Sequence, residues 1–220
     1  KYFPDSRDTT NAIFLQSEIR NDRWIVTPGI RWEQFAIDVA SQDGYGQKAT
    51  TLTGAQWTPK LGALYKLQDD VSLFGNFATG FRAPNATQLN GFSELTTSGY
   101  ASYLSNPDLK PETSKNIELG LRTRIGRLSL NASVFNGDYS QLIVDKKLLS
   151  GNPASCGAAP GCVYQSINVD SARIWGAELS GNMDWGQWAG ARWSTPFAYG
   201  QARGRDNGTG KPLKAIDPAI

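Results

Sequence analysis

The chain has 220 residues, no histidine, 11% aromatic residues and a formal net charge of +2. The absence of histidine excludes a Ser-His-Asp or Cys-His catalytic site within the chain and removes the commonest metal ligand. The small net charge argues against a dedicated nucleic-acid-binding protein, and no apolar run of about eighteen residues predicts a transmembrane helix.

Apolar and polar residues alternate along much of the chain. In residues 116–124, Ile117, Leu119 and Leu121 point to one side of an extended chain and polar residues point to the other. Several such runs approach about ten residues, the length that a tilted strand needs to cross a bilayer. The pattern predicts about nine or ten strands, each with an apolar and a polar side. The alternation recurs in residues 59–67, 71–79, 128–134 and 174–185.

Short and long connections alternate between these runs. Short turns on one rim and long loops on the other are the layout of an outer-membrane β-barrel with antiparallel up-and-down strands. Tryptophans near the strand ends would form aromatic girdles at the two membrane interfaces. We predict short turns at residues 20–23, 67–70, 124–127 and 185–188, and long connections at residues 41–56, 81–115, 148–162 and from 204 onward. The girdle residues are Trp24, Trp32, Trp57, Trp175, Trp185 and Trp188.

A soluble β-sandwich with one wet face is the alternative architecture. The polar sides of the runs consist mainly of Ser, Asn and Gly with scattered charges. This composition suits a water-filled lumen better than the outer surface of a sandwich, so the barrel is the favoured interpretation.

Two cysteines, Cys156 and Cys162, lie close together in the segment CGAAPGC. Their even number and short spacing predict a local disulfide in an oxidising compartment. The alternative is a pair of free thiols. A zinc site is not expected, because no second Cys or His pair exists to complete a tetrahedron.

Two proline-containing segments interrupt the alternation, GFRAPNATQLNG at residues 80–91 and NPDLKPETSKN at residues 106–116. Pro84 lacks a backbone N–H and therefore ends strand pairing, and Asn85 supplies turn chemistry. The two segments predict one long connection that is held at its base.

Arg82 lies in the first of these segments. Its side chain could contact a ligand or pair with an inward-facing carboxylate such as Glu118. The pairing is favoured, because an unpaired charge is costly wherever water is scarce.

These two segments resemble sequences of TonB-dependent outer-membrane receptors. An FRAP box at residues 81–84 and an NPDL box at residues 106–109 are similar to the signature of the haem and haem-protein receptors within that family. Segments typical of the wider family lie at residues 57–67, 109–114 and 168–181.

The resemblance implies an all-β fold in which residues 1–220 form part of an antiparallel, up-and-down transmembrane β-barrel of about 22 strands. It places the protein in the outer membrane of a Gram-negative bacterium, in contact with outer-membrane lipid, and makes residues 81–115 a long extracellular loop between the boxes. Such receptors enclose a plug that engages the TonB energy-coupling complex. Neither the plug nor the C-terminal closing strands are recognisable in the sequence, so we expect the chain to correspond to the middle of the barrel.

The resemblance also implies a haem-binding site. Haem receptors of this kind commonly carry an axial histidine between the two boxes, and this chain has none. Tyr100 or Tyr103 could bind the haem iron instead, since a phenolate is a known axial ligand. Arg82 could stabilise the phenolate or bind a haem propionate, and Phe81 and Phe92 could pack against the porphyrin. Both tyrosines could equally be ordinary loop residues. Further candidates are Lys110 and Lys115 as cations and Leu104 as a packing residue.

The resulting functional hypothesis is a receptor, not an enzyme, that takes up haem for iron acquisition and has no catalytic cofactor. Its partners would be haem or a haem-carrying protein and, through a plug, the TonB complex; nucleic acid is not expected. A ferric-siderophore receptor is the close alternative, because Tyr- and Arg-bearing loops suit ferric catecholates and need no histidine. A passive structural outer-membrane barrel is a third possibility. An outer-membrane enzyme is disfavoured, because the carboxylates form no clustered motif.

Overall fold

The computed structural model describes residues 5–40, 50–90, 101–152 and 162–213. Within these ranges the chain folds into a sheet of ten strands and one short helix. No helix in the described ranges has the length and apolar character needed to cross a membrane. The elements are β1 (Ser6–Gln16), β2 (Ile19–Arg20), β3 (Trp24–Val39), β4 (Thr50–Gln68), β5 (Val71–Arg82), α1 (Ala86–Asn90), β6 (Ala101–Leu104), β7 (Glu112–Ile125), β8 (Leu128–Ser150), β9 (Cys162–Trp188) and β10 (Ala191–Asp206).

The long strands pair in chain order. The sheet runs β1-β3-β4-β5-β7-β8-β9-β10, and every neighbouring pair on this path is antiparallel. The predicted all-β, antiparallel, up-and-down arrangement is therefore confirmed. β2 pairs with the start of β3, and β6 pairs with the start of β9 in parallel. This parallel pairing of β6, which lies in the connection between β5 and β7, was not expected from the sequence.

Short turns join the strands at one end of the sheet, which we call the turn end; the opposite end is the loop end. Three predicted turns are confirmed, since β2 gives way to β3 across residues 21–23, β4 to β5 across 69–70, and β7 to β8 across 126–127. Gly126 has a φ of 59°, which fits a tight hairpin turn.

The fourth predicted turn, at residues 185–188, is wrong. β9 continues to Trp188, and the chain reverses at Ala189 and Gly190, both with positive φ. Gly186 also has a positive φ of 82°, but it lies at a register shift beside Trp193 within the β9–β10 pairing. The Trp-Gly sequence thus marks a β-bulge rather than the end of the strand.

Several strands extend further toward the loop end than the sequence predicts. β4 begins at Thr50 and β8 ends at Ser150, which shortens the connections predicted at residues 41–56 and 148–162. β8 has 23 residues and β9 has 27, whereas about ten suffice to cross a bilayer. The connection between β5 and β7 comprises residues 83–111 and contains α1 and β6.

The strand register separates an apolar face of the sheet from a polar face. Glu118 lies opposite Asn76 and Phe135 on the polar face, whereas Leu119 lies opposite Gly75 and Val134 on the apolar face. One complete row across five strands of the apolar face is Leu73, Leu121, Ala132, Leu179 and Tyr199.

The apolar face is uncovered. Ile13, which lies opposite Trp32, is 73% exposed and Leu119 is 59% exposed, and the described strands form a single layer. A soluble sandwich would bury such a face against a second sheet. A contiguous exposed apolar surface of this kind indicates contact with lipid.

Candidate functional site

A buried apolar cluster lies at the loop end and joins the sheet to the connection between β5 and β7. Leu89 of α1 is 0% exposed and Leu109 of the NPDL box is 2% exposed. Both pack against the final residues of β3 and against β8. The described parts of the connection, residues 83–90 and 101–111, are therefore folded onto the sheet. The buried members of the cluster are Phe35, Ile37, Val39, Leu89, Leu109 and Ile143.

α1 begins directly after the FRAP box, with a reciprocal cap. Asn85 Oδ1 accepts the backbone N–H of Gln88 at 2.8 Å, and Gln88 Oε1 accepts the backbone N–H of Asn85 at 3.0 Å. This is the side-chain exchange of a capping box. The Leu89 N–H then donates to the Asn85 carbonyl at 3.1 Å. Asn85 thus starts a helical turn and brings Leu89 into the buried cluster.

Arg82 and Glu112 form the base of the connection. Arg82 Nε donates to Glu112 Oε2 at 2.7 Å, and the other oxygen of Glu112 accepts the backbone N–H of Ile143 at 2.6 Å. The prediction of an inward carboxylate partner for Arg82 is confirmed, but the choice of Glu118 is wrong. Arg82 lies opposite Glu112 in the β5–β7 register, whereas Glu118 lies opposite Asn76 and accepts a hydrogen bond from it at 3.1 Å.

The ion pair further stabilises the charged form of the Arg82 guanidinium. Arg82 lies toward the loop end from Phe77, the last large exposed apolar residue of β5, and so lies beyond the apolar band. The hydrogen bond with Glu112 raises the pKa of Arg82, and the charges of Glu112 and Asp145 act in the same direction against partial burial. The Glu112 side chain is only 13% exposed, so this carboxylate needs its cationic partner.

Gln88 links α1 to both neighbouring charged groups. Its Oε1 accepts a hydrogen bond from Arg82 Nη1 at 3.2 Å, and its Nε2 donates to Asp145 Oδ1 at 2.7 Å. Ser166 Oγ lies 3.5 Å from the same Asp145 oxygen. Gln88 is buried, and these bonds satisfy the polar atoms of its amide.

Asn106 of the NPDL box holds the returning end of the connection. Its backbone N–H donates to the Leu89 carbonyl at 2.7 Å, and its Nδ2 donates to the Ser166 carbonyl at 2.9 Å. Asn106 Oδ1 accepts the backbone N–H of Asp108 at 3.2 Å. Asn106 therefore joins α1 through its backbone, and the box and β9 through its side chain.

Asn168 of β9 forms hydrogen bonds with the backbone that follows the NPDL box. Its Oδ1 accepts the N–H of Lys110, and its Nδ2 donates to the Lys110 carbonyl, both at 2.9 Å. Nδ2 also donates at 2.6 Å to the carbonyl of Gln141, which has a left-handed φ of 59°. Sequence reasoning did not identify Gln88, Glu112 or Asn168, although the Asn-x-x-Gln spacing was readable as a capping box.

The predicted ligand residues are placed as follows. Arg82 and Phe81 end β5, and the Phe81 ring lies 5.8 Å from the Phe35 ring, within the cluster's partly buried margin. Tyr103 lies in β6, where its backbone pairs with Tyr164 of β9. Tyr100 and Phe92 lie outside the described residues. Within the described ranges, no group of three possible metal-binding side chains converges.

Cys162 begins β9 and is buried. No cysteine among the described residues is a free thiol. Cys156 lies outside them, so its disulfide with Cys162 stays a prediction.

Because Cys162 is buried, the test uses urea-unfolded protein, in which we expect Cys162 to resist alkylation before reduction and to become reactive in Cys156→Ser. Closing so short a loop contributes about 2 kcal/mol to stability, so the variant should also unfold at lower denaturant concentration. Mass spectrometry after alkylation, with and without reduction, checks the pairing. A Cys162 thiol that reacts in the unreduced wild-type protein would contradict it.

The single antiparallel sheet, its lipid-exposed apolar face and its alternation of short turns and long connections define the wall of an outer-membrane β-barrel. The chain belongs to the family described as TonB dependent receptor-like, beta-barrel, whose model matches residues 1–219. Members of this family are outer-membrane proteins of Gram-negative bacteria. In this arrangement the loop end is extracellular and the turn end is periplasmic.

Relatives of the chain include receptors with different named ligands. It is 26% identical to the hemin receptor of Yersinia pestis over 98% of its length and 31% of that protein. It is 30% identical to the probable TonB-dependent siderophore receptor PirA of Acinetobacter baumannii over 74% of its length and 24% of that protein. Its fold matches the copper transporter OprC with a TM-score of 0.75 at 19% identity, over 98% of this chain and 32% of that chain. The chain thus spans about a quarter to a third of the length of these relatives.

Proposed function

We propose that the protein containing this chain takes up haem across the outer membrane from the extracellular side. The observation that carries the proposal is the anchoring of both boxes at the loop end. Arg82 and Glu112 close the base of the connection, and Asn106 holds its returning end on β9. This arrangement keeps residues 81–90 and 101–115 at the extracellular opening, where an incoming ligand first meets the barrel.

Each predicted ligand residue has a distinct role in this proposal. Tyr100 or Tyr103 supplies a phenolate to the haem iron. The Arg82 side chain remains 47% exposed beside its ion pair with Glu112, so its remaining donors are available to a carboxylate such as a haem propionate. Phe81 forms part of the apolar wall of the site, because its ring packs on the Phe35 ring.

Transport itself requires parts of the receptor beyond the described sheet. We propose that a plug couples the barrel to the TonB complex, and that haem arrives either free or on a carrier protein. The barrel wall contributes the extracellular opening, and its polar face contributes the hydrated surface along which the ligand passes.

Uptake of a ferric siderophore is the second candidate function. The absence of histidine from the chain favours it, as does the 30% identity to a probable siderophore receptor. The same tyrosines and Arg82 would then bind an anionic ferric chelate through charge and hydrogen bonds instead of coordinating haem iron.

A haem titration of the full-length receptor separates the two functions. We expect haem to give a shifted Soret band in the wild type, and Tyr100→Phe or Tyr103→Phe to abolish the shift, because phenylalanine has no oxygen to bind iron. Tyr199→Phe is the matched control, since Tyr199 lies on the lipid-facing side. Absence of a Soret shift together with saturable binding of a ferric catecholate would replace haem by the siderophore.

A further inference from the structure

Basic side chains face each other on the lipid-facing side of the sheet, near the loop end. In the β9–β10 register, Arg173 lies opposite Arg205, and Arg203 lies opposite Trp175. Arg173, Arg203 and Arg205 are all exposed. Like charges directly opposite each other in a sheet are destabilising, so this arrangement is unfavourable unless an anion lies between them.

The same row of the sheet continues onto two further strands. Lys115 lies opposite Asp138, and Asp138 lies opposite Arg173. Lys115 is therefore on the lipid-facing side of the sheet. Arg173 Nε donates to Asp138 Oδ1 at 2.7 Å.

We call Lys115, Arg173, Arg203 and Arg205 the basic patch. Asp138 is the one carboxylate that the register places among them within the described part of the chain. Arg205 Nε donates to the Gly210 carbonyl at 3.0 Å. The side chain of Arg203 has no hydrogen-bond partner in the described ranges. The basic patch therefore carries excess positive charge that the described residues do not neutralise.

The basic patch lies at the depth of lipid headgroups. Trp175 and Tyr199 are exposed aromatic residues near the loop end of the apolar face, in the position of an interfacial girdle. Arg173 lies two residues beyond Trp175, and Arg203 lies four residues beyond Tyr199. Arg203 lies opposite Trp175 of this girdle, and at about 3.3 Å per residue and a tilt of about 45° it is roughly 9 Å nearer the loop end than Tyr199. This distance reaches the polar layer outside the hydrocarbon.

We propose that the basic patch binds the phosphate groups of an anionic lipid in the outer leaflet. The outer leaflet of a Gram-negative outer membrane carries phosphorylated glycolipid, and guanidinium groups bind phosphate through paired hydrogen bonds. A phosphate seated between Arg173, Arg203 and Arg205 offsets the repulsion across β9 and β10. The acyl chains of the same lipid then lie along the apolar face below Trp175.

Native mass spectrometry of the detergent-solubilised, full-length receptor tests this site with lipid A, the bisphosphorylated glycolipid of that leaflet, as the probe. We expect Arg203→Gln to weaken lipid A binding about five-fold and the Arg173→Gln/Arg203→Gln double variant about 25-fold, since each basic residue near an anionic lipid surface contributes about that factor. Asp138→Asn should strengthen binding by a similar factor, because it removes the opposing charge.

Three comparisons decide the outcome. Arg124→Gln removes the same charge at the turn end and should leave lipid A binding within about two-fold of the wild type. Dephosphorylated lipid A should bind weakly, and inorganic phosphate in excess should not displace lipid A. Equal loss in Arg124→Gln, equal binding of the dephosphorylated lipid, or full displacement by inorganic phosphate would each overturn the proposal. Arg203 makes no side-chain hydrogen bond in the described ranges, so Arg203→Gln is expected to keep the wild-type fold.

Discussion

Replacing Leu109 by alanine should release the connection between β5 and β7 from the sheet while leaving strand pairing intact. Leu109 is 2% exposed and packs with Leu89 and the end of β3. Removing a buried leucine side chain costs about 2–5 kcal/mol. Because the cluster joins α1 and the NPDL box to the sheet, this cost falls on the docking of the connection. We expect a protease added to intact cells to cut the Leu109→Ala connection much faster than that of the wild type.

Leu104→Ala is the matched control for this prediction. Leu104 lies in β6 of the same connection, but it is 45% exposed. Truncating an exposed side chain usually changes stability by less than about 0.5 kcal/mol. The two variants should show the same heat-dependent migration on gels, which reports an intact barrel. Equal protease resistance of Leu109→Ala and Leu104→Ala would mean that the buried cluster does not hold the connection.

The strands within the lipid-facing zone could be predicted from the sequence. Successive side chains of a strand point to opposite faces, and the face in contact with lipid must be apolar, so apolar residues recur at every second position. Residues 116–124 lie within β7, and residues 128–134 lie at the start of β8. Each apolar residue of these runs faces lipid, so the chemical alternation reports the side of the sheet directly.

The extensions of β8 and β9 toward the loop end could not be predicted in the same way. Residues 142–150 of β8 pair with β9 beyond the lipid-facing zone, and their register shifts twice. This part of the sheet is not required to present an apolar side to lipid, so the sequence is free of the alternation that marks the membrane-spanning part. Backbone pairing with the neighbouring strand holds these residues extended instead.

The partner of Arg82 could not be predicted because it depends on strand register. The need for an inward carboxylate followed from the cost of an isolated charge. Whether that carboxylate is Glu112 or Glu118 depends on how β5 and β7 align across the long connection at residues 83–111, and no local pattern specifies that alignment. The hydrogen bonds of Asn168 to Lys110 are non-local for the same reason.

Gly176→Ala should lower the stability of the sheet more than a glycine-to-alanine change elsewhere in the same strand pair. A Cβ atom at Gly176 would lie 2.2 Å from the carbonyl oxygen of Gln201 and 2.6 Å from the Phe135 ring. The ring can rotate away, but the carbonyl belongs to β10 and moves only if the β9–β10 pairing changes. Forcing an extra methyl group into a packed position costs about 1–3 kcal/mol, and occasionally more.

Gly200→Ala provides the control for this substitution. Gly200 lies opposite Glu178 in the same β9–β10 pair, and the nearest atom to its added Cβ would be 3.9 Å away, an ordinary contact. Urea titrations of both variants in detergent, followed by tryptophan fluorescence, should therefore give a lower midpoint for Gly176→Ala alone.

A second substitution separates the two contacts of Gly176. In the double variant Gly176→Ala/Phe135→Leu, the Phe135 ring is replaced by a shorter leucine side chain. This relieves the contact with β8 but leaves the contact with the Gln201 carbonyl. The double variant should therefore remain less stable than Phe135→Leu alone. If the two have the same midpoint, the ring is the sole obstacle, and the close approach of the β10 backbone to Gly176 does not limit the packing of β9 against β10.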